Sequence, residues 1–163
     1  RDRIWWDLRP SHRYPTIESR ICDVSPRLED TLTLAAMTQC LARMLWRLSR
    51  NNQRWRIYDK FLVGENRWRA QRFGVKGGLI DFGRGEIVPL SELTRELQEL
   101  VEEDAGILRC TEELARTQDI AANGTSSDRQ RELYAGRREL GDDHDTALVA
   151  VVGHLIEEFT ADL

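Results

Sequence analysis

The sequence predicts an α+β fold: a few antiparallel strands at the N-terminal end, covered by five to six α-helices. Three observations predict it. Apolar and polar residues alternate with period two across residues 4–9 and again across 16–23. From Ser25 onward, apolar residues recur at steps of three and four. Between two blocks of helical period, residues 74–89 place five glycines around two short apolar runs, as a small hairpin would. The length of 163 residues fits a single domain, 1–163.

In the first strand pair, alternation puts Trp5, Asp7 and Arg9 on one face and Ile4, Trp6 and Leu8 on the other. Pro10, Ser11 and His12 break the run, and Pro15 restricts the residue before it. In the second strand Thr16, Glu18, Arg20 and Cys22 share a face, with Ile17, Ser19 and Ile21 opposite. Glu18 and Arg20 are then about 7 Å apart along the strand. Hairpin pairing brings Asp7 and Arg9 toward them. Two carboxylates and two guanidiniums on one sheet face suit a hard cation beside a phosphate: the carboxylate takes the metal, and the guanidinium clamps oxygens through two parallel hydrogen bonds. The same pattern also serves a solvated face laced with cross-strand ion pairs.

Ser25 and Pro26 read as N-cap and first position of a helix reaching Arg50, with Glu29 and Asp30 at its positive end. Its apolar face is expected from Leu28, Leu32, Ala35, Leu41, Met44, Leu45 and Leu48, packed on the sheet. Residues 53–73 read as a second helix, with a kink at Gly64. Residues 74–89 form the hairpin, turning at 82–85; neither GxGxxG nor GxxxxGK[ST] occurs, which excludes a dinucleotide fold or P-loop. Ser91 is expected to cap a third helix ending near Gly106, and Thr111 a fourth ending at Asn123-Gly124. Ser127 and Gln130 have capping-box spacing for a fifth. The last runs from about Thr146, with Leu148, Val151, Val152, Leu155, Ile156 and Phe159 on its apolar face.

Composition narrows the function. No apolar run is long enough to span a membrane, and no secretory signal is visible. Three widely spaced cysteines give neither a disulfide framework nor a metal motif and suit a reducing cytoplasm. The net charge of −4 is asymmetric: residues 1–76 hold 16 Lys and Arg against 8 Asp and Glu, and the remainder holds 8 against 20. Arg54, Arg56, Arg67, Arg69 and Arg72 interleave with Trp55, Trp68 and Phe73, which keeps a nucleic-acid reading open. The acidic total and the absence of any nucleic-acid motif argue against it.

Three stretches in order, IWWDLRPSHRYPTIESRICD (residues 4–23), ENRWRAQRFG (65–74) and GTSSDRQ (124–130), resemble motifs of the bacterial carboxylate–amine ligases, the type 2 glutamate–cysteine ligase family. The core TIESRICD also resembles the Glu-x-Arg strand of the glutamine synthetase superfamily. The resemblance implies a glutamine synthetase-like catalytic sheet, with this chain as the C-terminal half of a longer catalytic domain; a start at Arg1 rather than Met fits that expectation. It implies ATP and magnesium, glutamate and cysteine as carboxylate and amine, and an acyl-phosphate intermediate. By the same resemblance Glu18 is a metal ligand and Arg20 binds the transferring phosphate or substrate carboxylate. Arg9 is a second anion clamp, with Asp7 orienting it or joining the metal shell. Asn66 and Arg72 close the site from the helical side. The expected partners are the two small molecules, the N-terminal half, and a homodimer mate. Two other function classes stay open: a non-catalytic interaction module pairing through an exposed sheet edge, and an arginine-rich nucleic-acid binder.

Overall fold

The computed structural model describes residues 6–161, so Ile4 and Trp5 of the expected first strand lie outside the described residues. Among the described residues four short strands and seven helices follow in the order β1 (Leu8–Pro10), β2 (Ile17–Ser19), α1 (Leu28–Arg50), α2 (Lys60–Phe73), β3 (Leu79–Asp81), β4 (Glu86–Val88), α3 (Leu90–Leu108), α4 (Thr111–Ala115), α5 (Thr117–Asn123), α6 (Ser126–Glu139) and α7 (His144–Thr160). A single 3-10 turn, Gly74–Gly77, links α2 to β3. The strands form two separate antiparallel hairpins, β1–β2 and β3–β4. The architecture is α+β, as the periodicities indicate.

The core is helical. Ala36, Cys40 and Met44 of α1 meet Val101 and Ala105 of α3, with Cys110 and Leu114 at the start of α4. Met37, Leu41, Leu48, Leu97 and Leu108 close around them. Helix α1 therefore packs on α3 and α4, where the sequence reading set it on the sheet. Its buried stripe is Thr33, Ala36, Cys40 and Met44, while Leu28, Leu32 and Leu45 are exposed. The small residues win because α3 and α4 approach closely. Asp104 of α3 is fully buried in this interface, and Arg43 (3.4 Å) and Arg47 (2.8 Å) of α1 neutralise it. Helices α6 and α7 form a second pair, in which buried Glu158 meets Arg129 of α6 and, at 3.0 Å, Arg27 before α1. The buried face of α7 is accordingly Ala147, Val151 and Glu158, while Leu148, Val152, Ile156 and Phe159 are exposed.

Several boundaries differ from the sequence reading for local reasons. Arg27, not Ser25, precedes α1. Residues 53–59 are not helical; α2 starts at Lys60, where the Asp59 carboxylate accepts from the Phe61 N–H. Pro89 rather than Ser91 precedes α3, which ends on Arg109 in the left-handed region. The stretch expected as one helix from Thr111 is broken at Arg116 into α4 and α5. The capping box of α6 is Thr125 with Asp128, two residues ahead of the Ser127–Gln130 pair. Asp143 caps α7, which begins at His144 rather than Thr146. The hairpin β3–β4 turns through 82–85 as expected, and Arg84 ties it to Glu92 and Glu96 of α3.

Candidate functional site

The register of β1–β2 assembles the site. Arg9 pairs with Glu18 and Leu8 with Ser19. The Arg20 N–H donates to the Asp7 carbonyl at 2.7 Å, which carries the same register one step further. In an antiparallel pair, directly opposed residues and residues two apart share a face. Asp7, Arg9, Glu18 and Arg20 therefore lie on one face of the hairpin.

Their side chains meet there. The Arg9 guanidinium donates from Nε to Glu18 Oε2 at 3.0 Å and from Nη2 to the same oxygen at 2.5 Å. Arg20 Nη1 lies 3.0 Å from the other oxygen, Oε1. Glu18 is thus held between two guanidiniums, one on each carboxylate oxygen. Its side chain keeps 46% of its surface exposed, so the cluster is open to a ligand. The opposite face of the hairpin is apolar and uncovered: Trp6, Leu8, Ile17 and Ile21 are each more than half exposed. Cys22 leaves the alternation, since β2 ends at Ser19 and the Cys22 thiol turns to the Ser19 hydroxyl at 3.8 Å.

Helix α2 reaches the hairpin through Arg67, whose two Nη atoms pair with the two carboxylate oxygens of Asp7. Arg67 is not among the residues that the sequence singles out, since ENRWRAQRFG points to Asn66 and Arg72; its place in that motif is the one signal for it. Asn66 does not face that cluster with a free amide. Its Nδ2 donates to the Ile80 carbonyl at 2.9 Å, and its Oδ1 accepts from the Ile80 N–H at 2.7 Å, so it clips β3 onto α2 as a backbone strand would. Arg69 donates to the carbonyls of Gly77 and Gly78 and fixes the turn after α2. Arg72 is exposed, with its guanidinium over the Phe73 ring.

The third motif sits next to the second. Asp128 accepts from the Thr125 N–H at 2.8 Å and the Thr125 hydroxyl at 2.9 Å. These bonds, led by the backbone one, hold its carboxyl below the ordinary value of 3.8. A Cβ built on Gly74 would lie 3.7 Å from Asp128 Oδ1, so the end of ENRWRAQRFG abuts the GTSSDRQ cap. The three sequence motifs are joined in space, by Arg67–Asp7 and by Gly74–Asp128.

For a divalent cation, Glu18 and Asp7 are the carboxylates on the site face. Among the described residues no group of three or more His, Cys, Asp or Glu could hold a metal ion. One or two carboxylates fit magnesium, which takes few protein ligands and completes its shell from water and phosphate oxygens. No helix among the described residues is long and apolar enough to cross a membrane.

The three motifs lie within the span of one family match. The family model described as glutamate–cysteine ligase family 2 matches residues 1–148. A protein of Jannaschia sp. (strain CCS1), provisionally named glutamate–cysteine ligase 2, is 62% identical over 161 residues, covering 99% of this chain and 42% of its own length. A Rhodospirillum rubrum protein of the same provisional name is 54% identical over 161 residues, at 99% and 41% coverage. A third, from Ruegeria pomeroyi, is 57% identical over 161 residues with the same coverages. The chain thus spans about two-fifths of the length of the curated relatives it matches. No solved structure matches it significantly. Nearly the whole chain matches one family description, and it belongs to glutamate–cysteine ligase family 2.

Proposed function

We propose that the chain supplies part of the active site of an ATP-dependent carboxylate–amine ligase, with glutamate as the carboxylate and cysteine as the amine. Family membership gives the reaction class, and the observation that supports the site is the Arg9–Glu18–Arg20 cluster on the open face of β1–β2. The reading requires groups that can hold a metal-bound triphosphate. Here the exchange conserves charge: Glu18 would give up arginine for magnesium, and Arg9 and Arg20 would give up a carboxylate for phosphate oxygens.

In this reading Glu18, with Asp7, would hold the magnesium that neutralises charge on the triphosphate. Arg20 clamps the terminal phosphate or the glutamate carboxylate, and Arg9 is the second clamp. The substrate γ-carboxylate oxygen attacks the terminal phosphorus of ATP, the bond to the bridging oxygen breaks, and ADP leaves. The cysteine amine then attacks the acyl carbon of the acyl phosphate, loses a proton, and phosphate departs. The side chains contribute position and charge, and these account for most of the acceleration of such transfers. Asn66 serves by clipping β3 to α2, and Arg72 adds positive charge on the helical side. Arg67 sets the hairpin against α2 through Asp7.

The test uses a full-length protein carrying this chain. ADP release should require magnesium and glutamate together, and cysteine should accelerate it. Failure to bind ATP in the presence of magnesium would overturn the proposal and favour a non-catalytic interaction module. The arginine–tryptophan stretch gives less support to a nucleic-acid reading, because Arg69 is turned to the backbone carbonyls of Gly77 and Gly78.

A further inference from the structure

Two thiols meet in the helical core. Cys40 of α1 and Cys110, which precedes α4, bring their sulfurs within 3.6 Å across a separation of 70 residues. Both are free, Cys40 with no exposed surface and Cys110 with 7%. Neither belongs to the Arg9–Glu18–Arg20 cluster. Apolar packing alone does not require two cysteines to face each other there. We propose that Cys40 and Cys110 are a redox-closable pair, oxidised by a peroxide to an internal disulfide that ties α1 to the corner between α3 and α4.

The geometry sets the order of events. The sulfurs need to approach by about 1.5 Å to reach bonding distance, a shift within side-chain rotation and small helix displacement. Cys110 reaches solvent first, since it lies in the link after Arg109. Cys110 alone of the two has exposed surface, so it is the sulfur that peroxide meets, while burial, then the hydrogen bond and charge of Cys110, push the Cys40 thiol up. The Cys110 thiolate attacks one peroxide oxygen, the O–O bond breaks, and hydroxide leaves with formation of a sulfenic acid. The Cys40 sulfur then attacks the Cys110 sulfur. The S–O bond breaks, and the departing hydroxyl leaves as water with the Cys40 proton. In balance, two thiols and one peroxide give one disulfide and two waters. Cys22 is exposed, with its thiol 3.8 Å from the Ser19 hydroxyl, and it marks the reactivity of an ordinary surface thiol.

The experiment treats the full chain carrying Cys22→Ser with hydrogen peroxide and counts thiols after denaturation. The expected result is a fall from two thiols to none, with the chain still monomeric on a non-reducing gel and restored to two thiols by dithiothreitol. With Cys40→Ser added, no bridge can close, and dimedone should label Cys110 as its sulfenic acid. Persistence of both thiols at peroxide levels that fully oxidise Cys22 in the unsubstituted chain would overturn the proposal. So would oxidation that yields dimers linked through Cys110 in place of the internal bridge. Circular dichroism before and after treatment distinguishes closure in the folded chain from oxidation after unfolding; a bridge that appears only with loss of helix signal also overturns it.

Discussion

Arg9 and Glu18 stand directly opposite each other across β1 and β2, and two nitrogens of one guanidinium converge on a single carboxylate oxygen. Arg20 takes the other oxygen. The pair is solvent-exposed, so its contribution to folding is small, within about 1 kcal/mol. Its contribution to a reaction on a triphosphate should be large. Glu18→Gln in a full-length protein should lower magnesium-dependent ATP turnover by about 100-fold or more while moving the unfolding midpoint little. Turnover within a few-fold of the unsubstituted enzyme would remove Glu18 from the metal shell.

Arg20→Lys should be nearly as damaging as Arg20→Ala. An ammonium keeps the charge but cannot present two parallel donors to a phosphate or carboxylate. Steady-state kinetics on the two variants decide the matter: a lysine variant that recovers most of the activity would show that charge alone suffices.

Asp104 carries a stability prediction. It has no exposed surface and meets Arg43 and Arg47, whose side chains are about a quarter exposed. Removing a buried partner usually costs about 3–5 kcal/mol, but these arginines can turn toward water. Asp104→Ala should therefore cost about 2–3 kcal/mol, read by urea unfolding, and lower the thermal midpoint by about 5–10 °C. The hydrogen bonds that Arg47 donates to Asp104 also raise the Arg47 pKa above its ordinary value.

Asn66→Ala would leave the Ile80 N–H and carbonyl without their partners. The expected cost is about 1–3 kcal/mol, with faster amide exchange at Ile80. Asn66→Asp should be no better, since a carboxylate cannot donate to the Ile80 carbonyl. If either variant lost ATP turnover with unchanged stability, Asn66 would be acting on the ligand rather than on β3.

Asp128 gives a pH dependence with a definite sign. Its pKa is lowered in the folded chain, chiefly by the Thr125 backbone N–H. A lowered carboxyl contributes stability above its unfolded value of 3.8, lost as the pH falls through the still lower folded value. Asp128→Asn keeps an acceptor for the cap but cannot titrate. The stability gap between the two proteins should be constant near neutrality and close below about pH 4. A gap unchanged down to pH 2 would refute the assignment.

The legible parts of the sequence were those governed by local pattern. Period two placed Asp7, Arg9, Glu18 and Arg20 on one face, and the glycines placed the turn of β3–β4. What escaped was set by distant partners. The buried stripe of α1 follows Thr33, Ala36 and Cys40 rather than the leucines, because close approach of α3 favours small side chains. Arg43 and Arg47, four apart beside that stripe, were a readable hint of a buried acid; Asp104 lies 57 residues beyond Arg47. Asn66 and Ile80 are 14 residues apart, and nothing in a helical pattern announces a side chain that imitates a strand. The cap of α6 was misplaced by two residues because Thr125–Asp128 and Ser127–Gln130 both satisfy the spacing.

The bare apolar back of β1–β2 has a consequence for the quartet on its front. A two-stranded ribbon wetted on both sides is only marginally stable in water, and slippage by one residue would leave Asp7 and Arg9 on one face and Glu18 and Arg20 on the other. Trp6, Leu8, Ile17 and Ile21 thus act as the foundation of the charged cluster: whatever layer shields them from water sets how long the four groups stay aligned. Catalytic competence would then be governed from behind, by greasy contacts that never touch a substrate.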